Sequence, residues 1–495
     1  MYSSIPSFIK SKDLPPVFVD QDLCLFTSLH PLLYYFYIIE MENDNKDMSI
    51  NNIPWHLYDN DTINYYKKKY NYLKSVGWFN QKEPVSFNTV HITPDTVKKL
   101  VENLNQIVFE VTDNCNLQCK YCAYGDLYYD YDKRTGKNMD FNSVKNVLDF
   151  VFSNIPNSKD ILYVSFYGGE PLLNMDVIKS TINYIQSKKL SRKIIYTMTT
   201  NGILLTKHID FLQKMDFRVL VSLDGDRTNN SYRIFPSGKE SFEIVYRNLK
   251  QAQRQYPSFF KNNININSVL HNRNSDLSVH RFVFKEFAKA PQLSPLDDAG
   301  VKKEKMSEFI MMQSSNLHVD DVEDKKKLFQ EQGCKNPIIN KITNFFHNTL
   351  KQTCFTYYEE LLQNNSFSIR TPSGTCFPFQ KKLFVTVNGK ILPCERIDQR
   401  HVLGYATANR IDLDYKKIAD KYNHIFNNVV NSCKKCYQNK TCTQCLFQIE
   451  DIEKQTSCPH LFNYESIVKY YSDIISNIVE TPEVVDEIID KILII

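Results

Sequence analysis

The sequence predicts an α/β protein with a parallel sheet, preceded by a small α+β region and followed by a cysteine-rich one. Three observations carry this prediction. Strand-like and helix-like runs alternate from about residue 105 to 290. Glycine-bearing motifs recur just after successive strand-like runs. Most of the thirteen cysteines fall into two clusters.

Composition sets the outer bounds. In 495 residues, 23% are charged and 42% hydrophobic, as in globular proteins and unlike disordered ones. A net charge of +4 is too small to steer the chain onto nucleic acid or an acidic membrane. No run reaches the roughly 18 apolar residues of a membrane span. The opening MYSSIPSFIK lacks the charged-then-apolar pattern of an export signal. These features predict a cytoplasmic protein, where disulfides are disfavoured and clustered thiols serve as metal or cluster ligands.

Residues 1–100 carry an apolar, aromatic run at 17–41 and a polar patch at 42–52. A helical pattern follows at 62–76, with Ile63, Tyr66, Tyr70 and Leu73 at spacings of three to four. This suits a small winged-helix-like domain; a packing extension is the alternative. Strand-like runs then fall at 107–111, 161–166, 193–198, 217–223 and 264–270. Helical patterns at 142–152, 176–187, 207–214, 242–253 and 279–288 separate or follow them. Such alternation gives a parallel sheet with right-handed crossovers. It leaves open whether the sheet is flat or barrel-like, and whether a sixth repeat exists. Residues 291–370 read as a polar, helical connector, 371–460 as short strands with seven cysteines, and 462–495 as an amphipathic helical tail.

The first cluster is Cys115-Asn-Leu-Gln-Cys119-Lys-Tyr121-Cys122, directly after the first strand of the repeat. Three thiolates are one short of the usual four ligands of a cubane, which leaves one iron open. A structural zinc site would need a remote fourth ligand. Phe166-Tyr-Gly168-Gly169-Glu170-Pro171, Thr199-Thr-Asn201-Gly202 and Ser222-Leu-Asp224-Gly225 follow the next three strands. Carboxyl ends of consecutive parallel strands are where α/β enzymes build their sites. Glycine there permits positive φ or close backbone approach to a ligand.

The C-x3-C-x2-C loop, the GGEP segment and this strand order resemble the radical S-adenosylmethionine (SAM) superfamily, over about residues 103–290. The resemblance implies a partial (β/α)6 TIM-type barrel within a core domain at 101–330. It makes Cys115, Cys119 and Cys122 ligands of a [4Fe–4S] cluster whose open iron binds SAM. One-electron cleavage of SAM would yield a 5′-deoxyadenosyl radical. By the same resemblance Tyr121 lies against the adenine, and Gly168, Gly169 and Glu170 meet the methionine amino group. Asn201 and Asp224 lie near the ribose or carboxylate, and Ser222 and Arg233 bind the carboxylate.

The second cluster runs Cys376, twelve residues, Gly389, four residues, Cys394, then Cys433-x2-Cys436-x5-Cys442-x2-Cys445, then Cys458. Asn388-Gly389 between β-rich runs predicts a two-residue hairpin of type I′. Paired C-x2-C units also suit a zinc ribbon. The array resembles the SPASM extension of radical SAM peptide-modifying enzymes, although its C-x2-C at 442–445 is one residue shorter than the family's spacing. The resemblance implies a SPASM domain at 371–465, reached by a connector at 331–370 and followed by a C-terminal helix at 466–495. One auxiliary [4Fe–4S] cluster would take Cys433, Cys436, Cys442 and Cys458. The other would take Cys376, Cys394 and Cys445, its fourth position being open, bound by substrate or filled by Cys334 or Cys354. Cys24 reads as a buried thiol.

The function so implied is a peptide maturase that abstracts hydrogen from a ribosomal precursor peptide and forms a thioether or carbon–carbon link. Its partners would be that peptide, held through its leader by residues 1–100, and an electron donor such as flavodoxin or ferredoxin. Glu395, next to Cys394, is the candidate general base, where sulfatase maturases carry aspartate. Alternatives are a sulfatase-maturase-type enzyme and a non-catalytic metal-binding protein.

Overall fold

The computed structural model describes residues 8–9, 16–20, 25–44, 53–79, 91–129, 131–155, 161–313, 342, 345, 373–439, 442, 444–455, 457–480 and 482. The readings of Cys24, Cys334, Cys354 and most of the 331–370 connector lie outside these residues.

Strands β1 (Phe8–Ile9), β2 (Val17–Asp20) and β3 (Leu25–Ser28) form an antiparallel sheet in that order. Helices α1 (Pro31–Asp44) and α2 (Asn60–Ser75) follow. Asp59 caps α2 by accepting the Thr62 N–H at 2.7 Å. Phe18 stacks on Trp78 at 5.3 Å, and Tyr70 stacks on Phe79 at 5.0 Å, giving this region an aromatic core of its own. Helix α3 (Pro94–Glu102) belongs elsewhere: its Val97 and Val101 lie in the core of the large sheet. The boundary drawn at 100 therefore cuts through this helix.

Six parallel strands follow: β4 (Gln106–Thr112), β5 (Leu162–Gly168), β6 (Ile194–Thr200), β7 (Arg218–Ser222), β8 (Ile264–Leu270) and β9 (Gln292–Pro295). They pair in sequence order. The crossovers are α4 (Phe141–Asn154), α5 (Met175–Ser187), α6 (Leu205–Lys214), α7 (Phe242–Gln255) with the short α8 (Pro257–Asn263), and α9 (Asp276–Phe287). The sixth strand lies in the stretch read as a connector. Gln292-Leu-Ser-Pro295 has no apolar run to mark it. Helix α10 (Met306–Met312) comes after it.

The cysteine-rich region extends the same sheet. Strand β10 (Leu383–Val385) runs parallel to β4, with Phe384 opposite Val108. Strands β11 (Lys390–Leu392), β12 (Gly404–Ala406) and β13 (Ile411–Leu413) then add antiparallel. Ten strands result, in the order β13-β12-β11-β10-β4-β5-β6-β7-β8-β9. Helix α11 (Tyr415–Cys433) packs against α3, where Asn423 bonds both the N–H and C=O of Ile92 at 2.8 Å. Helix α12 (Tyr464–Glu480) buries Ile467, Tyr471 and Ile474 against Val17 and Val19.

The β10–β11 turn differs from the expected two-residue form. Thr386 pairs with Lys390 (N–H to O, 2.9 Å), so the loop is Val387-Asn388-Gly389. Gly389 has φ +78°, while Asn388 stays out of the left-handed region that a type I′ turn requires. The Val387 N–H is drawn inward by Glu110, whose Oε2 accepts it at 2.8 Å. No helix among the described residues is long and apolar enough to cross a membrane.

Candidate functional site

Strand β4 ends at Thr112, and the cysteine loop leaves its carboxyl end. Two backbone bonds pin the loop to the 231–238 segment: Gln118 N–H to Ile234 O (2.7 Å) and Lys120 N–H to Tyr232 O (3.1 Å). Asp113 accepts from the N–H groups of Thr135 (2.8 Å) and Lys137 (2.7 Å). That fixes Arg134, whose Nη2 donates to Cys122 Sγ at 3.2 Å. Asn201 Nδ2 reaches Cys115 Sγ at 3.6 Å and Asn116 Oδ1 at 2.7 Å. Burial pushes the Cys119 thiol up to about 12, against the pull of Arg233. A metal that displaces these protons would form the thiolate ligands. Among the described residues no three His, Cys, Asp or Glu groups converge tightly enough to grip a single ion. A cubane spreads its thiolates over separate irons and needs no such convergence.

Gly168 and Gly169 answer first to the backbone. A Cβ on Gly168 would collide with Thr112 O, and one on Gly169 with Asn114 O. Gly169 N–H bonds Thr112 O (2.9 Å) and Glu170 N–H bonds Asn114 O (2.7 Å), so this segment lies along the start of the cysteine loop. The Glu170 carboxylate is turned inward. It accepts from Thr200 Oγ1 (2.7 Å), Asn201 N–H (2.7 Å) and Leu172 N–H (3.1 Å), and burial lifts it to about 7. The carboxylate is thus taken up by the protein's own donors and braces Asn201 against the 168–170 segment.

Asp224 is taken up in the same way. It is 0% exposed. Oδ1 accepts from Arg233 Nη2 (3.0 Å) and Val269 N–H (2.9 Å). Oδ2 takes the Tyr121 hydroxyl and faces His271 Nε2 at 3.6 Å. With this many donors around it, the side chain is held by its neighbours Arg233, Val269 and Tyr121. The Tyr121 ring is likewise turned into the protein, stacked on His271 at 5.8 Å with the Arg233 guanidinium 5.4 Å away. Arg233 is 7% exposed, and its Nε is buried with no hydrogen-bond partner. That orphaned donor fits an anionic group such as a carboxylate. Ser222 ends β7 and is buried.

The second array divides in space. Cys433, Cys436, Cys442 and Cys458 line one cavity of about 300 Å³ with Gln438, Asn439 and His460. Cys376 and Cys445 are tied through their neighbours, because Leu446 N–H bonds Thr375 Oγ1 at 2.8 Å. Cys394 follows β11. Its neighbour Glu395 pairs with Lys382 at 2.9 Å. Burial alone would raise the Glu395 carboxyl, but Lys382 prevails and holds it below its ordinary value. A carboxylate so engaged makes a weak resting base.

Sequence reasoning missed His271, Arg134, Glu110 and Lys382. His271 had a signal, since it follows β8 directly as the motif residues follow β5 to β7. Arg134 and Lys382 had none.

Residues 109–277 match the family described as Radical SAM superfamily. Over 303 residues the chain is 26% identical to the radical SAM cyclopropyl synthase TigE of Paramaledivibacter caminithermalis, spanning 59% of this chain and 58% of that protein. Over 210 residues it is 26% identical to a cysteine-type anaerobic sulfatase-maturating enzyme of Clostridium novyi, spanning 40% and 54%. The chain spans about half the length of the curated relatives it matches. In fold it resembles native anSMEcpe with bound AdoMet, with a TM-score of 0.51 at 18% identity over 77% of this chain and 98% of that one. Native anSMEcpe with bound AdoMet and Kp18Cys peptide has a TM-score of 0.50 at 19% identity over the same shares.

Proposed function

We propose that this chain, a radical SAM protein through its residues 109–277, is a peptide maturase that forms a thioether or carbon–carbon link in a ribosomal precursor peptide. The observation that carries the reading is the three-cysteine loop at the end of β4, packed against the 168–170 segment and Asn201. Cys115, Cys119 and Cys122 would hold a [4Fe–4S] cluster, and SAM would lie along the strand ends. The chemistry these groups supply when bound is one-electron cleavage of the SAM sulfonium and abstraction of a substrate hydrogen.

The chain's own residues do the rest. Gly168, Gly169 and Glu170 border the methionine end. Asn201 bridges the Cys115 side of the loop. Ser222 and the free Arg233 Nε address the carboxylate. Asp224, His271 and Tyr121 hold Arg233 in place. Cys376, Cys394, Cys433, Cys436, Cys442, Cys445 and Cys458 would hold two auxiliary clusters that relay electrons. Support for a peptide substrate comes from the fold shared with anSMEcpe bound to the Kp18Cys peptide. The leader would add to the edge of β3 by backbone hydrogen bonds. The ion pair at Glu395 gives the sulfatase-maturase alternative less support.

Cys119→Ala tests the reading. Removing one of three thiolates should abolish 5′-deoxyadenosine release under dithionite. Intact protein should carry about twelve irons in three cubanes. Undiminished release by the variant would detach the loop from the chemistry.

A further inference from the structure

Helix α11 presents Ile418, Tyr422, Phe426, Val429 and Cys433 on its buried face. Tyr422 is 1% exposed, and its hydroxyl is buried with no hydrogen-bond partner. A buried hydroxyl without a partner costs stability that phenylalanine would not. Its surroundings identify the missing partner. The ring packs edge-on to Phe447 at 5.1 Å, two residues beyond Cys445. Cys445 is linked to Cys376 through the Leu446–Thr375 bond. After burial, the thiols of Cys445, Cys376 and Cys394 are what raise the Tyr422 phenol well above its ordinary value. All three cysteines of the incomplete set thus lie within electrostatic reach of one orphaned hydroxyl.

We propose that Tyr422 completes the Cys376, Cys394 and Cys445 site by donating a hydrogen bond from its hydroxyl to the sulfur of the cluster held there. This rests on the auxiliary-cluster reading above. A phenol keeps its proton at neutral pH, so the group acts as a donor. A hydrogen bond to sulfur favours the more negative, reduced state of a cluster. Tyr422 is then a tuning residue, placed on the same helix face as Cys433 of the other set. Eleven residues separate the two, about 16 Å along the helix.

The test is Tyr422→Phe in the anaerobically reconstituted full chain. Iron and sulfide should be unchanged, and so should 5′-deoxyadenosine release. In an EPR-monitored redox titration the signal absent from Cys394→Ala should become harder to reduce by about tenfold, or 59 mV for one electron. An unchanged midpoint would overturn the proposal. So would loss of iron or a three-iron signal in Tyr422→Phe, which would make the phenol a ligand. Intact protein with only about four irons would instead overturn the auxiliary-cluster reading and the proposal with it.

Discussion

Glu110 lies inside the sheet on β4. It accepts from the Tyr124 hydroxyl (2.5 Å) in the cysteine loop and from the Val387 N–H (2.8 Å) in the β10–β11 hairpin. Burial lifts its carboxyl from 4.5 to about 7. Folding therefore favours the protonated form. That contribution is complete below pH 4.5 and is lost as pH rises to about 7. Glu110→Gln stays neutral and escapes this loss. Relative to the parent it should gain roughly 1–3 kcal/mol between pH 5 and pH 8, at about 1.4 kcal/mol per pKa unit. Anaerobic melting scans at the two pH values check this; a pH-independent difference would mean that Glu110 does not titrate. The sequence offered a hint here, since a lone acid interrupts the apolar run at 107–111.

The β10–β11 hairpin leads into Cys394, and its loop depends on Gly389. The residue has φ +78°, and a Cβ there would collide with Ala406 O on β12. Gly389→Ala should cost about 1–3 kcal/mol in backbone strain. It should lower the iron content of the cysteine-rich region while 5′-deoxyadenosine release persists, as iron assay and product chromatography would show. Strands β4 to β7 were legible as mostly apolar runs, as strands covered on both faces are, and β8 as an alternation of apolar and polar residues. Strand β9 was not, being four residues with a terminal proline. The hairpin was legible as a hairpin, but its loop length was not: the pull of Glu110 on Val387 comes from 277 residues away.

Across the whole molecule, the N-terminal sheet is joined to the C-terminal helix α12 through Val17, Val19, Ile467 and Ile474. Cutting it away would uncover that helix, so a point change is the cleaner probe of leader binding. Leu29 N–H bonds Pro16 O (3.2 Å), and alternation along an antiparallel strand then turns the Ser28 N–H away from β2. Ser28→Pro removes that outward donor at the sheet edge. Leader affinity by anisotropy should fall at least about tenfold, the worth of a lost backbone bond or two, with uncoupled SAM cleavage intact. Equal affinities would return the region to a packing role.

What the sequence determined by itself was local. The alternation of runs dictated a parallel sheet, because a buried strand and an amphipathic helix each carry their own period. The spacing of the cysteines dictated which thiols stand near one another along the chain. Tertiary structure decided where each polar group points. Asp224 and Tyr121 turned inward because Arg233, Val269 and His271, up to 150 residues from Tyr121, offered buried donors and rings that desolvation made worth more than solvent. Tyr422 came to lie against Phe447, two residues past Cys445, only because β10 paired with β4 and α11 packed beside the result. Such meetings depend on which surfaces exclude water together, and no window of sequence contains that information.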